Sequence, residues 1–358
     1  MTQETSPDRQ RLNVLIASPL EAEHVARIRA CAAGRVDVAY LPELLPPARF
    51  PADHTGPADF KRSAEDEARW RAHLAEADIL WDFPGALGDG SSALSVAPKV
   101  KWIQGTSSGI GQRVEKLGLR DTDILLTTAS GVHAGPLTEF VFYALIRHFK
   151  RIAHVEEEQK RHRWERFCGE ELSGKTLAVV GVGGVGRRVM AIGRAFGMRV
   201  VGLTRPGSSH VAADVGADRL YARDDLHEML AEADALVLIV PLSAETEHMI
   251  DRAAIAALKP GAVLVNIARG AVIDEDAMVD ALASGHIAFA ALDVFTVEPL
   301  PETSPLWDMP NVLVSPHSAS TAASENGKIV DIFCHNLDCY LEGRLAEMRN
   351  IYDRSLDA

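Results

Sequence analysis

Cysteine is scarce in this chain: Cys31, Cys168, Cys334 and Cys339 are the four in 358 residues, and none forms a C-x-x-C pair. Such usage fits buried or idle thiols in a reducing cytoplasm and gives no disulfide framework. No run of about 18 apolar residues occurs, so no membrane-spanning helix is expected. The first residues, MTQETSPDRQR, lack the apolar core of a signal peptide and are expected to form a short disordered lead. Positive charge is also in short supply. The 37 Lys and Arg stand against 50 Asp and Glu, for a formal net charge of −13. That sign argues against a nucleic-acid partner, because a phosphate backbone needs a basic face. There is no repeat of fixed period and no low-complexity tract, and no metal site is expected.

What is present is a large apolar fraction, 47%, in a chain long enough for two domains. Strand-like and helix-like segments alternate throughout, which argues for parallel α/β layers. A first series of strands is expected at 13–17, 36–40, 78–82, 100–104 and 124–128. A second is expected at 176–181, 198–203, 235–240, 262–267, 287–294 and 311–315. The second series has the continuous Val/Leu/Ile runs of strands buried on both faces. The stretch LLPPARFPADHTGPADF (44–60) reads as a Pro-rich surface loop, and 61–77 as a solvated helix. One long helix is expected over 137–161, connecting the two series, and another over 321–344. The latter can pack back on the first domain and make it discontinuous.

Gly181, Gly183 and Gly186 stand in G-x-G-x-x-G spacing, after an expected strand and at the head of an expected helix. The first glycine permits the tight turn, the second lets a pyrophosphate approach the backbone, and the third lets helix and strand pack closely. The free N–H groups of the helix start then face the phosphates. A plain strand–helix turn is the alternative, and the strand–turn–helix context favours the dinucleotide. At the end of the next strand such sites usually carry an acid; here the residues are Leu203, Thr204 and Arg205.

In an open parallel sheet, ligands sit beyond the carboxyl ends of the strands. Arg269, Glu298 and His317 each follow a different expected strand, so one fold can gather them. An Arg fork binds a carboxylate and polarises a neighbouring carbonyl. A His can pass a proton to a developing alkoxide, and a Glu beside it fixes its orientation. With a nicotinamide, the set describes reversible reduction of a 2-oxo acid to a 2-hydroxy acid. Taken singly, each residue also has a structural reading, as a loop arginine, a turn acid or one of thirteen histidines.

These residues and their surroundings resemble the D-isomer-specific 2-hydroxyacid dehydrogenases, from about residue 75 to the end. LSGKTLAVVGVGGVGRRV resembles the family's cofactor signature and VPLSAETEHMID its stretch after the fourth cofactor-domain strand. LVNIARGAVIDEDAMVDAL, ALDVFTVEPLP and NVLVSPHSAS resemble its Arg, Glu and His motifs, in order. The resemblance implies two Rossmann-like or flavodoxin-like, doubly wound parallel-sheet domains with a cleft between them. It implies a discontinuous substrate domain, 11–138 plus 320–358, around a dinucleotide-binding domain, 139–319. The catalytic set it implies is Arg269, Glu298 and His317. Ser107, Ser108 and Gly109 match the loop that binds the substrate carboxylate. Trp81 and Phe83 fall where a substrate-contacting loop is expected; an apolar wall, with Phe83 against the substrate, and a core position are both open. The cofactor set it implies is Gly181, Gly183, Gly184, Val185, Gly186, Thr204, Arg205, Ser208, Pro241, Thr246, Ala268 and Asp293. Thr204 takes the place of the usual acid and Arg205 follows it, so NADP is expected, with NAD possible.

The expected protein is therefore a cytoplasmic oxidoreductase similar to glyoxylate/hydroxypyruvate reductases. It acts on a small-molecule 2-oxo or 2-hydroxy acid, binds no nucleic acid or membrane, and forms a homodimer through the cofactor domain. Three rival readings share parts of this pattern. Formate dehydrogenase carries Gln where Glu298 stands. A nucleotide-sensing corepressor like the C-terminal-binding proteins keeps the same catalytic residues and differs in turnover. A phosphoglycerate dehydrogenase would favour basic residues near the substrate phosphate, and 79–86 has none.

Overall fold

The computed structural model describes residues 11–205 and 207–354; the expected disordered lead lies almost wholly outside these. Contacts divide the described chain into two compact units. One runs to Val132 and resumes at Thr321; the other is His133–Ser320.

The first unit contains strands β1 (Leu12–Ile16), β2 (Val36–Ala39), β3 (Ile79–Trp81), β4 (Trp102–Gln104) and β5 (Leu125–Thr127). Its helices are α1 (Ala22–Cys31), α2 (Ala64–Glu76) and α3 (Gly111–Lys116), with the C-terminal α11 (Glu325–Leu341). All strand pairs are parallel, in the order β2-β1-β3-β4-β5, a flavodoxin-like order. Alternate residues feed two separate cores. Val14, Ile16, Ile79, Trp81 and Trp102 face one side with Phe333 of α11, whereas Leu15, Leu80, Ile103 and Leu126 face the other with Trp70 and Leu74 of α2. The period of two puts successive side chains on opposite faces, and because both faces are covered, both sets are apolar.

The second unit begins with α4 (Ala134–Phe149) and α5 (Ile152–Lys160). It continues through β6 (Thr176–Val180), α6 (Gly184–Ala195), β7 (Arg199–Leu203), α7 (Ala212–Val215), β8 (Arg219–Tyr221), α8 (Leu226–Ala231) and β9 (Ala235–Leu238). It closes with α9 (Arg252–Ala257), β10 (Ala262–Asn266), α10 (Glu275–Ala283), β11 (Ile287–Leu292) and β12 (Val312–Val314). Its seven strands are parallel in the order β12-β11-β10-β9-β6-β7-β8. The order reverses between β6 and β9, which is where a doubly wound sheet opens its ligand crevice. Ala178, Val180, Leu236 and Leu264 pack on one face and Leu177, Val179, Val237 and Val265 on the other.

The expected α/β class with two parallel sheets is what the chain adopts. Two local readings change. The single helix expected over 137–161 is two helices, because Arg151 is left-handed (φ 53°, ψ 41°) and ends the first. Arg147 bridges the break to Glu156 at 2.9 Å. The edge strand β8 is an element that the apolar pattern did not reveal.

The Pro-rich loop 44–60 is tied down rather than loose. Asp53, 4% exposed, accepts from Arg49 Nε at 2.7 Å and Arg49 Nη2 at 3.0 Å, and from the backbone N–H groups of Arg49, Thr55 and Gly56. Glu21 accepts from the Ala52 N–H and from Asn326 Nδ2, joining the loop to α11. A cavity of about 180 Å³ remains beneath it, lined by Pro19, Tyr40, Pro46 and Asn326 among others. The Arg49 guanidinium and the three N–H donors hold the Asp53 carboxyl well below the usual carboxylate range, against the opposing effect of burial.

A carboxylate depressed on folding contributes stability above its unfolded pKa, about 3.9, and that stability is lost as pH falls below it. Asp53→Asn is therefore expected to cost about 2 kcal/mol at pH 7, with the gap to wild type closing below about pH 4. Urea unfolding followed by tryptophan fluorescence measures this, since Trp70, Trp81 and Trp102 are all fully buried in this unit. A gap independent of pH would contradict the assignment.

Candidate active site

The glycine turn after β6 has two kinds of glycine. A Cβ at Gly186 would stand 2.0 Å from the Gly181 carbonyl oxygen, and one at Gly181 (φ +107°) would stand 2.8 Å from the Ile239 carbonyl oxygen. Those two are demanded by packing. A Cβ at Gly183 or Gly184 would meet nothing within 4 Å, so there the bare backbone faces open space. That is the arrangement a pyrophosphate needs: an accessible strip of peptide at the start of α6, whose first N–H groups carry partial positive charge. Val185 lies half-buried in the first turn of the same helix. The residues fit a dinucleotide.

At the end of β7, Thr204 is half-buried and Arg205 exposed. The Thr204 N–H and hydroxyl both donate to the Tyr221 carbonyl, at 3.0 and 3.3 Å. Its hydroxyl proton is thus already engaged, which leaves Arg205 as the principal donor at this strand end. Ser208 N–H donates to the Arg205 carbonyl, closing the turn. Sequence reasoning missed two neighbours. Arg187, directly after the third glycine, donates to His210 Nδ1 at 3.4 Å, which adds basic groups next to the 204–210 loop. The adjacency of Arg187 to the motif was the available signal. After β9, Thr246 Oγ1 donates to the Pro241 carbonyl at 2.6 Å and closes that loop.

Arg269 follows β10. Asn266, 1% exposed, accepts from the Ala268 N–H and donates to the Arg269 carbonyl, so it shapes the turn. The Arg269 side chain folds onto the Ala268 carbonyl at 2.6 Å. Gly270 is required by a close approach: a Cβ there would stand 1.9 Å from the Phe295 carbonyl carbon. The Arg269 turn is thereby pressed against the segment that leads to Glu298.

Glu298 accepts from the Phe295 N–H through Oε1 at 3.0 Å, and its Oε2 lies 2.8 Å from His317 Nδ1. His317 is part-exposed and left-handed (φ 53°), a costly conformation for a residue with a Cβ unless its surroundings impose it. Asp293 imposes it. Its Oδ1 accepts from Ser315 Oγ at 2.5 Å and from the backbone N–H groups of Ser318 and Ala319 at 2.8 and 2.9 Å. Asp293 is 2% exposed; burial pushes its carboxyl up, and those hydrogen bonds act against the push. Ser315, in the residues just before His317, was the partner that motif reading overlooked.

In the first unit, Ser107, Ser108 and Gly109 form the exposed tip of the loop after β4. The Ser107 carbonyl accepts from the Ala129 N–H at 3.0 Å, and Ser108 Oγ donates to the Ala129 carbonyl. Trp81 is wholly buried, stacked edge-on against Phe333. Phe83, 6% exposed, packs in the core beneath Gly105, with the Arg113 guanidinium 5.4 Å from its ring. Both side chains are thus buried in this unit.

Residues 142–319 match the family model of the D-isomer specific 2-hydroxyacid dehydrogenase NAD-binding domain. The chain is 34% identical over 309 residues to a glyoxylate/hydroxypyruvate reductase B of Pectobacterium atrosepticum, covering 80% of this chain and 95% of that one. It is 35% identical over 271 residues to a D-3-phosphoglycerate dehydrogenase of Mycobacterium leprae, covering 75% of this chain and half of that one. A D-isomer specific 2-hydroxyacid dehydrogenase of Xanthobacter autotrophicus, solved in complex with NADPH and MES, superposes with a TM-score of 0.74. It shares 25% identity, and the match covers 97% of this chain and all of the other.

Proposed function

The chain belongs to the D-isomer specific 2-hydroxyacid dehydrogenase family, and we propose that it is an NADPH-preferring reductase of a small 2-oxo acid, yielding the D-2-hydroxy acid. The observation that carries the reading is the Glu298–His317 pair, 2.8 Å apart on a loop that Asp293 tethers. A bound nicotinamide supplies the hydride. Gly181, Gly183, Gly184, Val185 and Gly186 would hold its pyrophosphate, and Pro241, Thr246, Ala268 and Asp293 would line the remainder of the cofactor site. The Arg269 fork binds the substrate carboxylate and draws electron density from the neighbouring carbonyl. His317 donates the proton that neutralises the developing alkoxide, and Glu298 fixes the ring through Nδ1 so that Nε2 faces the reacting oxygen. In the first unit, Ser107, Ser108 and Gly109 offer loop donors to a carboxylate.

The coenzyme preference rests on β7. An acid at its end would bind a ribose 2′-OH and repel a 2′-phosphate; Thr204 removes that repulsion, and Arg205 supplies the charge. The Arg187–His210 pair nearby supports the same reading. The Xanthobacter autotrophicus relative's NADPH complex is consistent with it. The phosphoglycerate dehydrogenase reading is less favoured, since residues 79–86 carry no basic side chain to meet a substrate phosphate. A homodimer through the second unit is supported by exposed apolar side chains there, above all Trp164, 97% exposed. Light scattering should give twice the chain mass, and a monomer at micromolar concentration would oppose it.

His317→Ala is expected to lower kcat for glyoxylate or hydroxypyruvate reduction roughly 10²–10⁴-fold, with dinucleotide binding retained. Near-normal turnover would remove His317 from the proposed chemistry. For the coenzyme, wild-type kcat/KM should be higher with NADPH than with NADH. Arg205→Ala should weaken NADPH about 10- to 100-fold, the equivalent of one charge-assisted hydrogen bond, and spare NADH. Thr204→Asp should shift preference toward NADH. A wild-type enzyme that favours NADH contradicts the coenzyme assignment.

A further inference from the structure

Two thiols of the first unit take no part in the chemistry above. Cys31 is the last residue of α1, and Cys334 lies in α11. Both are half-buried against the core that holds Val25, Ile28, Phe333 and Leu337. Ion pairs fix the register of the two helices on either side. Arg27 pairs with Asp331, and Arg35, just past α1, donates to Asp338 at 2.8 Å. One helical turn separates Arg27 from Cys31 and Asp331 from Cys334, so the thiols occupy the rung between the two ion pairs. Cys31 Sγ donates to the Ile28 carbonyl at 3.2 Å, and the two thiols, neighbours on this rung, are not covalently joined.

We propose that Cys31 and Cys334 form a redox modification site, at which a peroxide-class oxidant creates a disulfide that ties the C-terminal helix α11 to α1. The neighbouring Cys334 holds the Cys31 thiol below its usual range, with Arg35 assisting and burial and Asp338 opposing. The same contact, together with burial, pushes Cys334 up. Cys31 is therefore the attacking sulfur. Its thiolate attacks one oxygen of hydrogen peroxide, the O–O bond breaks, and the departing oxygen leaves as water after taking up a proton. Cys31 becomes a sulfenic acid, and the anion that favoured a proton on Cys334 is gone. The Cys334 sulfur then attacks the sulfenic sulfur, and the S–O bond breaks with release of a second water. Two thiols and one peroxide give one disulfide and two waters, and two electrons pass from the sulfurs to the peroxide oxygens. The other two cysteines are placed differently. Cys168 is exposed in the second unit, and Cys339 is buried with its Sγ against His335 and Arg344.

The test treats the full-length protein with hydrogen peroxide, blocks remaining thiols, and maps tryptic peptides by mass spectrometry. The expected product joins peptide 30–35 to peptide 329–344, with fragment ions that place the bond at Cys334 rather than Cys339. The oxidised protein should melt roughly 5 °C higher, reversibly with dithiothreitol, and Cys334→Ser should lose both the cross-link and the shift. A Cys31 found as sulfinic acid, left as a thiol, or bonded to Cys168 or Cys339 overturns the proposal. The wild-type peptide map decides this whether or not the variant folds.

Discussion

The hydrogen bonds from Ser315 and from the backbone of Ser318 and Ala319 to one buried oxygen of Asp293 are the constraint on which the candidate site depends. They close the loop after β12 into the shape that puts His317 in a left-handed conformation facing Glu298. Without them, a residue with a side chain has no reason to hold that backbone geometry. The buried carboxylate resists ionisation, and the donors around it offset that resistance.

Close backbone approach does the complementary work. Gly270 lets the turn bearing Arg269 press on Phe295 and Thr296, and Gly186 lets α6 press on the turn at Gly181. The first contact joins the segments that follow β10 and β11, and the second tightens a single strand–helix turn. The sheet order supplies the rest: β10, β11 and β12 are neighbours, so the residues that follow them emerge side by side. The oxidisable pair in the first unit follows the same logic of register, since two ion pairs set which thiols meet.

Much of this was legible in the sequence, for physical reasons. Short apolar runs, densest in Val, Leu and Ile where both faces are buried, made eleven of the strands readable, whereas β8 (Arg219–Tyr221) is three residues at a sheet edge beginning with a charge. Arg269, Glu298 and His317 stood out because titratable residues directly after apolar runs are rare. Their supports did not. Asn266, Gly270 and Ser315 act through turn geometry and contacts across the fold, which leave no local pattern. The break at Arg151 had no glycine or proline to mark it. The anchoring of the Pro-rich surface loop was not legible, because Asp53 is an acid whose burial depends on partners within the folded turn.

The most direct measurement is the turnover of Asp293→Ala with a 2-oxo acid substrate, with coenzyme binding titrated separately by fluorescence. If the tether orders His317, kcat falls by a factor approaching that of losing the general acid itself, roughly 10²-fold or more, even at saturating coenzyme. A kcat within about threefold of wild type, against that 10²-fold expectation, would show that the His317 loop holds its shape without Asp293 and would contradict the account.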